Sequence, residues 1–233
     1  QLEARASGTA QQPQLSGSLA GNGLALRLDE QGVNLKDGML RASFDGDRLN
    51  LKELRLKGGD GSVRATGALP FVGPDPALTL DIVFDRLQAL SRPDRLLVLD
   101  GTARVTLQRS RVAVDGKLQV VRGLFLLPEN DGLTLSDDVT VLGRKAPLPS
   151  TQERVLGVVD LQLDLGDNFR LGGRGVEARL AGALRLHAAT DASPSVHGSV
   201  RLVDGLYTAY GQKLQIERGV LTFIGPLENP GLD

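Results

Sequence analysis

Gly198-Ser199-Val200-Arg201-Leu202-Val203-Asp204-Gly205-Leu206-Tyr207-Thr208-Ala209-Tyr210-Gly211, followed by Gln212-Lys213-Leu214-Gln215-Ile216-Glu217-Arg218-Gly219-Val220-Leu221-Thr222-Phe223, decides the fold. Apolar and polar residues alternate with period two, and the alternation changes phase twice, at Asp204-Gly205 and at Arg218-Gly219. Side chains alternate faces along a strand, so a phase change marks a place where the chain turns or slips. Asp-Gly is a strong signal for a two-residue hairpin loop, which requires positive φ. Read as two hairpins, the stretch pairs Val203 with Leu206, Leu202 with Tyr207, Ile216 with Leu221 and Leu214 with Phe223. One face then collects Val200, Leu202, Tyr207, Ala209, Leu214, Ile216, Leu221 and Phe223. The other carries Arg201, Thr208, Gln215, Glu217 and Thr222, with Val203 and Leu206 as its apolar exceptions.

The same grammar extends upstream. Gln1–Gly23 alternates weakly, and from Leu24 the period-two pattern scarcely stops. Asp37-Gly38, Gly46-Asp47, Asp100-Gly101 and Arg122-Gly123 read as two-residue turns, and Asp115-Gly116-Lys117 as a three-residue loop. The parity change at Leu54 and Leu56 predicts a bulge near Lys52-Glu53. Gly58–Gly61 turns into Val63, Ala65, Gly67 and Leu69, and Pro70–Pro76 breaks the pattern. Leu87 and Leu90, at i and i+3 with Pro93 beyond, read as one short helical turn at 86–94. Val159, Leu161, Leu163 and Leu165 form a clean strand that Gly166-Asp167-Asn168 turns, and Gly172–Gly175 loosens the chain again. Val176 to Ala188 alternates without a fault, and Asp191–Pro194 reads as a loop. No 3.6-residue stripe of any length competes. The fold class is all-β, organised as repetitive hairpins over 1–127, a polar region over 128–154 with Val139–Leu142 as a short strand, and further hairpins over 155–233.

Composition narrows the function. The 233 residues carry a net charge of −1 and a mean hydropathy near zero, and most of the 27 basic residues are arginines scattered along the chain. That balance makes no case for nucleic acid or an anionic membrane surface. Aromatics at 3% are too sparse for a platform that stacks single-stranded bases. The absence of cysteine removes thiolate chemistry and cysteine-ligated metals. The longest apolar runs, Leu96–Leu99 and Leu124–Leu127, are far too short to span a membrane as a helix. No signal peptide opens the chain, which begins and ends within patterns as an excised piece of a longer protein would.

Catalytic readings are weak. His187 lies outward between Leu186 and Ala188, and His197 sits at a strand start. Asp191, Ser193, Ser195 and His197 lack the strand–elbow–helix context of a nucleophilic triad. Asp45, Asp47 and Asp137-Asp138 lack calcium-loop spacing. Gly172-Gly173-Arg174-Gly175 precedes no helix and is no phosphate cradle. The reading is therefore of a protein that is not an enzyme and that needs no metal or cofactor. What remains is the smooth aliphatic face, which suits either the core of a two-sheet sandwich or a surface for acyl chains.

Gly198–Gly219, with its Tyr207-Thr208-Ala209-Tyr210-Gly211-Gln212-Lys213-Leu214-Gln215-Ile216 core, resembles the signature of the TamB family. Phe223-Ile224-Gly225-Pro226-Leu227-Glu228-Asn229-Pro230 extends the likeness, and Leu135–Val139 and Asp160–Leu180 resemble preceding family segments. The resemblance implies a long antiparallel sheet curled into an open apolar trough (a β-taco). It implies a part of a Gram-negative envelope protein that is anchored in the inner membrane and crosses the periplasm towards a TamA barrel in the outer membrane. It also implies either phospholipid transport between membranes or templating of outer-membrane β-barrel proteins. If the trough holds acyl chains, the face that alternation assembles gives its groove as Leu96, Val98, Val105, Leu107, Leu118, Val120, Phe125, Leu127, Leu161, Leu163, Leu180, Leu184, Leu186, Val200, Leu202, Tyr207, Leu214, Ile216, Leu221 and Phe223. The membrane anchor and the strands after Asn229-Pro230 are the two parts of the family pattern that this sequence lacks.

Overall fold

Unbroken alternation gives strands, and every regular element among the described residues is a strand. The computed structural model describes residues 2–9, 12–70, 77–128, 156–190, 192–209, 211–226 and 231–232. The first eight strands are β1 (Leu2–Thr9), β2 (Gln12–Leu28), β3 (Val33–Gly46), β4 (Arg48–Gly58), β5 (Gly61–Pro70), β6 (Ala77–Arg92), β7 (Arg95–Gln108) and β8 (Arg111–Leu126). They pair in sequence order as antiparallel neighbours. β9 (Leu156–Asp164) and β10 (Phe169–Gly173) then lie end to end beside β8 and run parallel to it. β11 (Val176–Ala189) pairs with both. β12 (Ala192–Ala209) follows, and its far side carries β13 (Gln212–Gln215) and β14 (Val220–Pro226), again end to end. β15 (Gly231–Leu232) pairs with β14, and all fifteen belong to one mostly antiparallel, curved sheet.

Directly paired residues share a face, so the register sorts the two surfaces. One row crosses the sheet through Leu186, Leu161, Gly116, Ala103, Ile82, Ala65, Leu54, Leu40 and Gly21. The adjacent row on the opposite face reads His187, Asp160, Asp115, Arg104, Asp81 and Thr66. Every member of the first row is apolar or glycine, and every member of the second is polar. Among the described residues no second sheet covers the apolar rows, whose large side chains are mostly half-exposed.

The turns need correction. Gly46-Asp47 and Gly59-Asp60 do join strands, as does Arg174-Gly175 within the predicted Gly172–Gly175 segment. Asp37-Gly38, Asp100-Gly101, Asp115-Gly116-Lys117, Arg122-Gly123 and Asp204-Gly205 instead lie inside long strands. Asp204 pairs with Arg179 and Gly205 with Ala178, and the extra residue in this register is Val203. Arg218-Gly219 falls in the irregular link between β13 and β14, whose strands run on in one direction. Gly166-Asp167-Asn168 likewise links β9 to β10 without reversing the chain. The physical reason is one of parity. A two-residue turn and a one-residue bulge both place residues i and i+3 on the same face, so the alternation cannot tell them apart.

The helical turn at 86–94 is overturned for the same reason. β6 runs on to Arg92, with extra residues inserted between Phe84 and Leu87 and between Gln88 and Leu90. Leu87 pairs with Leu99 and Leu90 with Leu97, so a bulge at Ala89 produces the i, i+3 spacing. The bulge near Lys52 is present. Ala192 pairs with Ala189, so β12 begins inside the predicted Asp191–Pro194 loop. Most of the Pro70–Pro76 break and of the 128–154 region, including Val139–Leu142, lies outside the described residues.

The irregularities fall on one transverse line. Arg86 in β6, Val121 in β8, the β9–β10 link, Val203 in β12 and the β13–β14 link stand side by side across the sheet. Bulges bend strands, so their alignment makes a crease. Along it, on the apolar face, run Leu87, Leu99, Val120, Leu165 and Val200, with Leu35 reaching Leu87 over Gly58. All six are buried, at 2–9% exposure. β4 and β5 stop at this line, and the start of β3 approaches β6 beyond it: from the β2–β3 turn, the Gly32 carbonyl accepts from the Ser91 amide at 2.8 Å and the Glu30 carbonyl from the Arg92 guanidinium.

Glycine matters most beside the crease. Gly198 has φ of 131°, and a Cβ there would overlap the Ala183 carbonyl oxygen. Gly205 needs no positive φ, and a Cβ there meets only side-chain ends, of Leu202 at 3.0 Å and Ile216 at 3.4 Å. Gly198→Ala should therefore cost about 1–3 kcal/mol through backbone strain, and Gly205→Ala roughly 1 kcal/mol or less, in denaturant unfolding. Equal losses would refute the bulge assignment. In the same assay Leu165→Ala should cost about 2–5 kcal/mol, well above Leu118→Ala on the neighbouring half-exposed row.

Candidate functional site: the apolar face

The candidate site is a surface. Its floor is the crease, where Leu165 fills the gap between β9 and β10. The Leu165 amide donates to the Gly182 carbonyl at 2.8 Å, and Asp164 Oδ1 caps the break by accepting from the Gly166 amide at 2.8 Å. Because Gly182 has no side chain and pairs with Val200, Leu165 reaches Val200 directly. Phe169, Leu97, Leu118, Leu163, Leu180, Leu184, Leu221 and Phe223 pack against this floor while remaining partly exposed. They belong to the two walls that rise from it.

The register brings together most of the residues singled out from the sequence. Val105, Leu107, Leu118, Val120, Phe125, Leu161, Leu163, Leu180, Leu184, Leu186, Val200, Leu202, Tyr207, Leu214, Leu221 and Phe223 all occupy the apolar face. Ile216 lies in the β13–β14 link against the Gly205–Leu202 side of the sheet, its amide donating to the Gly205 carbonyl at 2.9 Å. Leu127 follows β8, with its amide on the Gly172 carbonyl at 2.7 Å. Towards the edge the face becomes wet, and Leu214 is 55% exposed.

Leu96 and Val98 are the exceptions. They pair with Leu124 and Arg122 on the opposite face, because β7 passes straight through Asp100-Gly101 and the parity never flips. Leu97 and Leu99 take their place, and the four-residue apolar run Leu96–Leu99 gave no alternation from which to choose. Phe169 was also missed. It follows a polar link and pairs with Gly123 and Leu180, contacts that only the split strand creates.

Charge is nearly absent from this face. Among the described strand registers, its only charged residues outside the bulges are Arg92 and Arg95, which pair with each other at the β6–β7 turn. Asp94 lies between them in that turn, its carboxyl held below the usual carboxylate range by hydrogen bonds from Arg92 and then Arg95. The opposite face carries the exposed ion pairs Arg104–Asp81 at 2.7 Å, Arg179–Asp204 at 2.6 Å and Arg185–Asp160 at 3.6 Å. Pairs so exposed contribute little stability, but Arg179–Asp204 explains the aspartate of the misread Asp-Gly: it spans the β11–β12 bulge.

Conventional active-site geometry does not assemble. His187 and His197 are exposed, and Ser195 Oγ turns to the His187 carbonyl at 3.5 Å, not to His197. Among the described residues no three His, Asp or Glu side chains gather as metal ligands, no buried side-chain polar atom lacks a partner, and no helix is long and apolar enough to cross a membrane.

The sequence from 48 to 233 matches the family described as the TamB C-terminal domain, which is most of the chain. Family members act in transport and assembly and are not a known enzyme family. A single creased all-β sheet with one apolar face and this match have one reading: the chain belongs to the TamB family, of the Gram-negative envelope's TamA–TamB translocation and assembly module.

Proposed function

We propose that the apolar face shields lipid acyl chains as phospholipid passes through the periplasm between the inner and outer membranes. The observation that carries this is continuity: apolar or glycine registers persist from β2 to β14 with no covering layer among the described residues. Ten strand spacings make that path about 48 Å long. Burying each CH₂ is worth roughly 0.8 kcal/mol, so one chain of about 16 carbons gains on the order of 10 kcal/mol before ordering costs. A row of near-equivalent aliphatic contacts lets a chain slide, where a deep pocket would hold it. In this reading the fragment serves a longer, inner-membrane-anchored protein that meets the TamA barrel.

A second reading has its own support. Among the described residues β15 covers β14 only at Leu221 and Thr222, and Ile224, further along that edge, is 81% exposed. An edge left open can accept another strand, as templating of outer-membrane β-proteins would require.

Parity separates these readings. A photo-crosslinking residue at Leu163 or Leu184 should capture phospholipid in cells, while the same residue at Gln162 or Arg185 should not. Equal capture on both faces would defeat the shielding role, and protein capture confined to Ile224 would favour templating. Leu163→Arg should abolish lipid capture at Leu184 yet keep a native β-sheet circular dichroism spectrum. The half-exposed site lets the guanidinium reach water, so the stability loss should stay near about 1–3 kcal/mol. Unfolding of this variant would indicate a closed core.

A further inference from the structure

Among the described strand registers, the charged spot on the apolar face outside the bulges adjoins a stacked aromatic pair. Phe125 and Phe169 stack with ring centroids 6.2 Å apart, and Phe169 packs on the crease floor. The Arg95 guanidinium lies over the Phe125 ring, 5.8 Å from its centroid. Its Nε donates to Asp94 Oδ2 at 3.0 Å, and the terminal nitrogens take no partner among the described residues. Arg92 donates through Nε to Asp94 Oδ1 at 3.0 Å and through a terminal nitrogen to the Glu30 carbonyl. That second contact ties the end of β6 to the β2–β3 turn, so Arg92 is tethered in place while the terminal nitrogens of Arg95 stay open over the Phe125 ring.

Two arginines flanking a carboxylate at the rim, with an aromatic pair leading down to aliphatic floor, form an amphipathic sequence. Arginine forks match phosphate as they match carboxylate, and stacking on an aromatic face leaves the fork's edge available. Asp94 supplies the negative charge while nothing else does; a phosphate meeting Arg95's open edge would share the pair with it. Elsewhere the face holds apolar chains without distinguishing what they are attached to. Here it can.

We propose that Arg92 and Arg95 recognise the phosphate of a phosphate-headed amphiphile whose chain lies along Phe125, Phe169 and Leu97. This rests on the shielding role proposed above and adds a fixed headgroup station to it. The same chemistry could serve free phosphate, so the test separates the two sources.

The test is calorimetric titration of the 233-residue chain with dodecyl phosphate below micelle formation, with dodecyl maltoside as a neutral partner of equal chain length, and with inorganic phosphate. Wild type should bind dodecyl phosphate more tightly than the maltoside and leave inorganic phosphate unbound. The double variant Arg92→Gln/Arg95→Gln should lose roughly tenfold or more for dodecyl phosphate and nothing for the maltoside. Asp94→Asn, which removes the internal anion, should tighten dodecyl phosphate alone, a gain that a merely structural role would not produce. Equal affinity for both amphiphiles, or an unchanged double variant, would overturn the headgroup station and leave the shielding role standing. Inorganic phosphate binding as tightly as dodecyl phosphate would overturn it in favour of a free-anion site. Failure of both amphiphiles to bind wild type would remove the shielding role and the station together.

Discussion

The packing of Leu165 between Val120 and Val200 is the contact on which the sheet's form depends. A strand of fourteen to eighteen residues, such as β7 or β12, cannot follow a sharply curved surface with a regular ladder; it must bend where a residue can be left out of the pairing. Here those residues line up, and the split of β9 from β10 at the same line opens room for one side chain. Leu165 fills it and joins apolar residues on both sides of the break, while its amide keeps the ladder to Gly182 intact. Concavity on one face follows, and so does the concentration of burial along a single row.

That geometry explains how one sheet stays folded without a second. A sandwich hides each apolar face under another, but here the crease alone buries large side chains among the described residues of this face, apart from Val196. The walls keep their aliphatic residues half in contact with the floor and half available. Stability and availability are thus divided by position: the floor supplies cohesion, and the walls retain surface that another molecule can cover. Glycines next to the floor, such as Gly101, Gly182 and Gly198, keep the concavity from being filled by its own side chains.

The charge distribution follows the same division. Ion pairs and histidines occupy the outer face, where water screens them and where they discourage pairing between sheets. Arg92 and Arg95 interrupt a surface otherwise uncharged, outside the bulges, among the described registers, next to the place where β4 and β5 stop short. A wall built by convergence of β3 and β6 leaves its polar turn residues close to apolar registers, which a regular succession of equal hairpins would not do.

Period-two alternation from Leu24 to Phe223 was enough to establish an all-β chain, and the parity of its apolar residues grouped sixteen of the twenty candidate groove positions that the register places together on the apolar face. That legibility has a physical basis: which side of a sheet a residue faces depends on counting along the chain, and a turn and a bulge count alike. For the same reason the alternation could not say whether Asp204-Gly205 reverses the chain. Only pairing with β11 decides that, because a bulge exists by virtue of the strand opposite it. Leu96 and Val98 were lost where four apolar residues run together and no phase can be read. The crease, the split strands, the Phe125–Phe169 stack and the Arg92–Arg95 pair all join residues through neighbouring strands, so their arrangement resides in the tertiary structure alone.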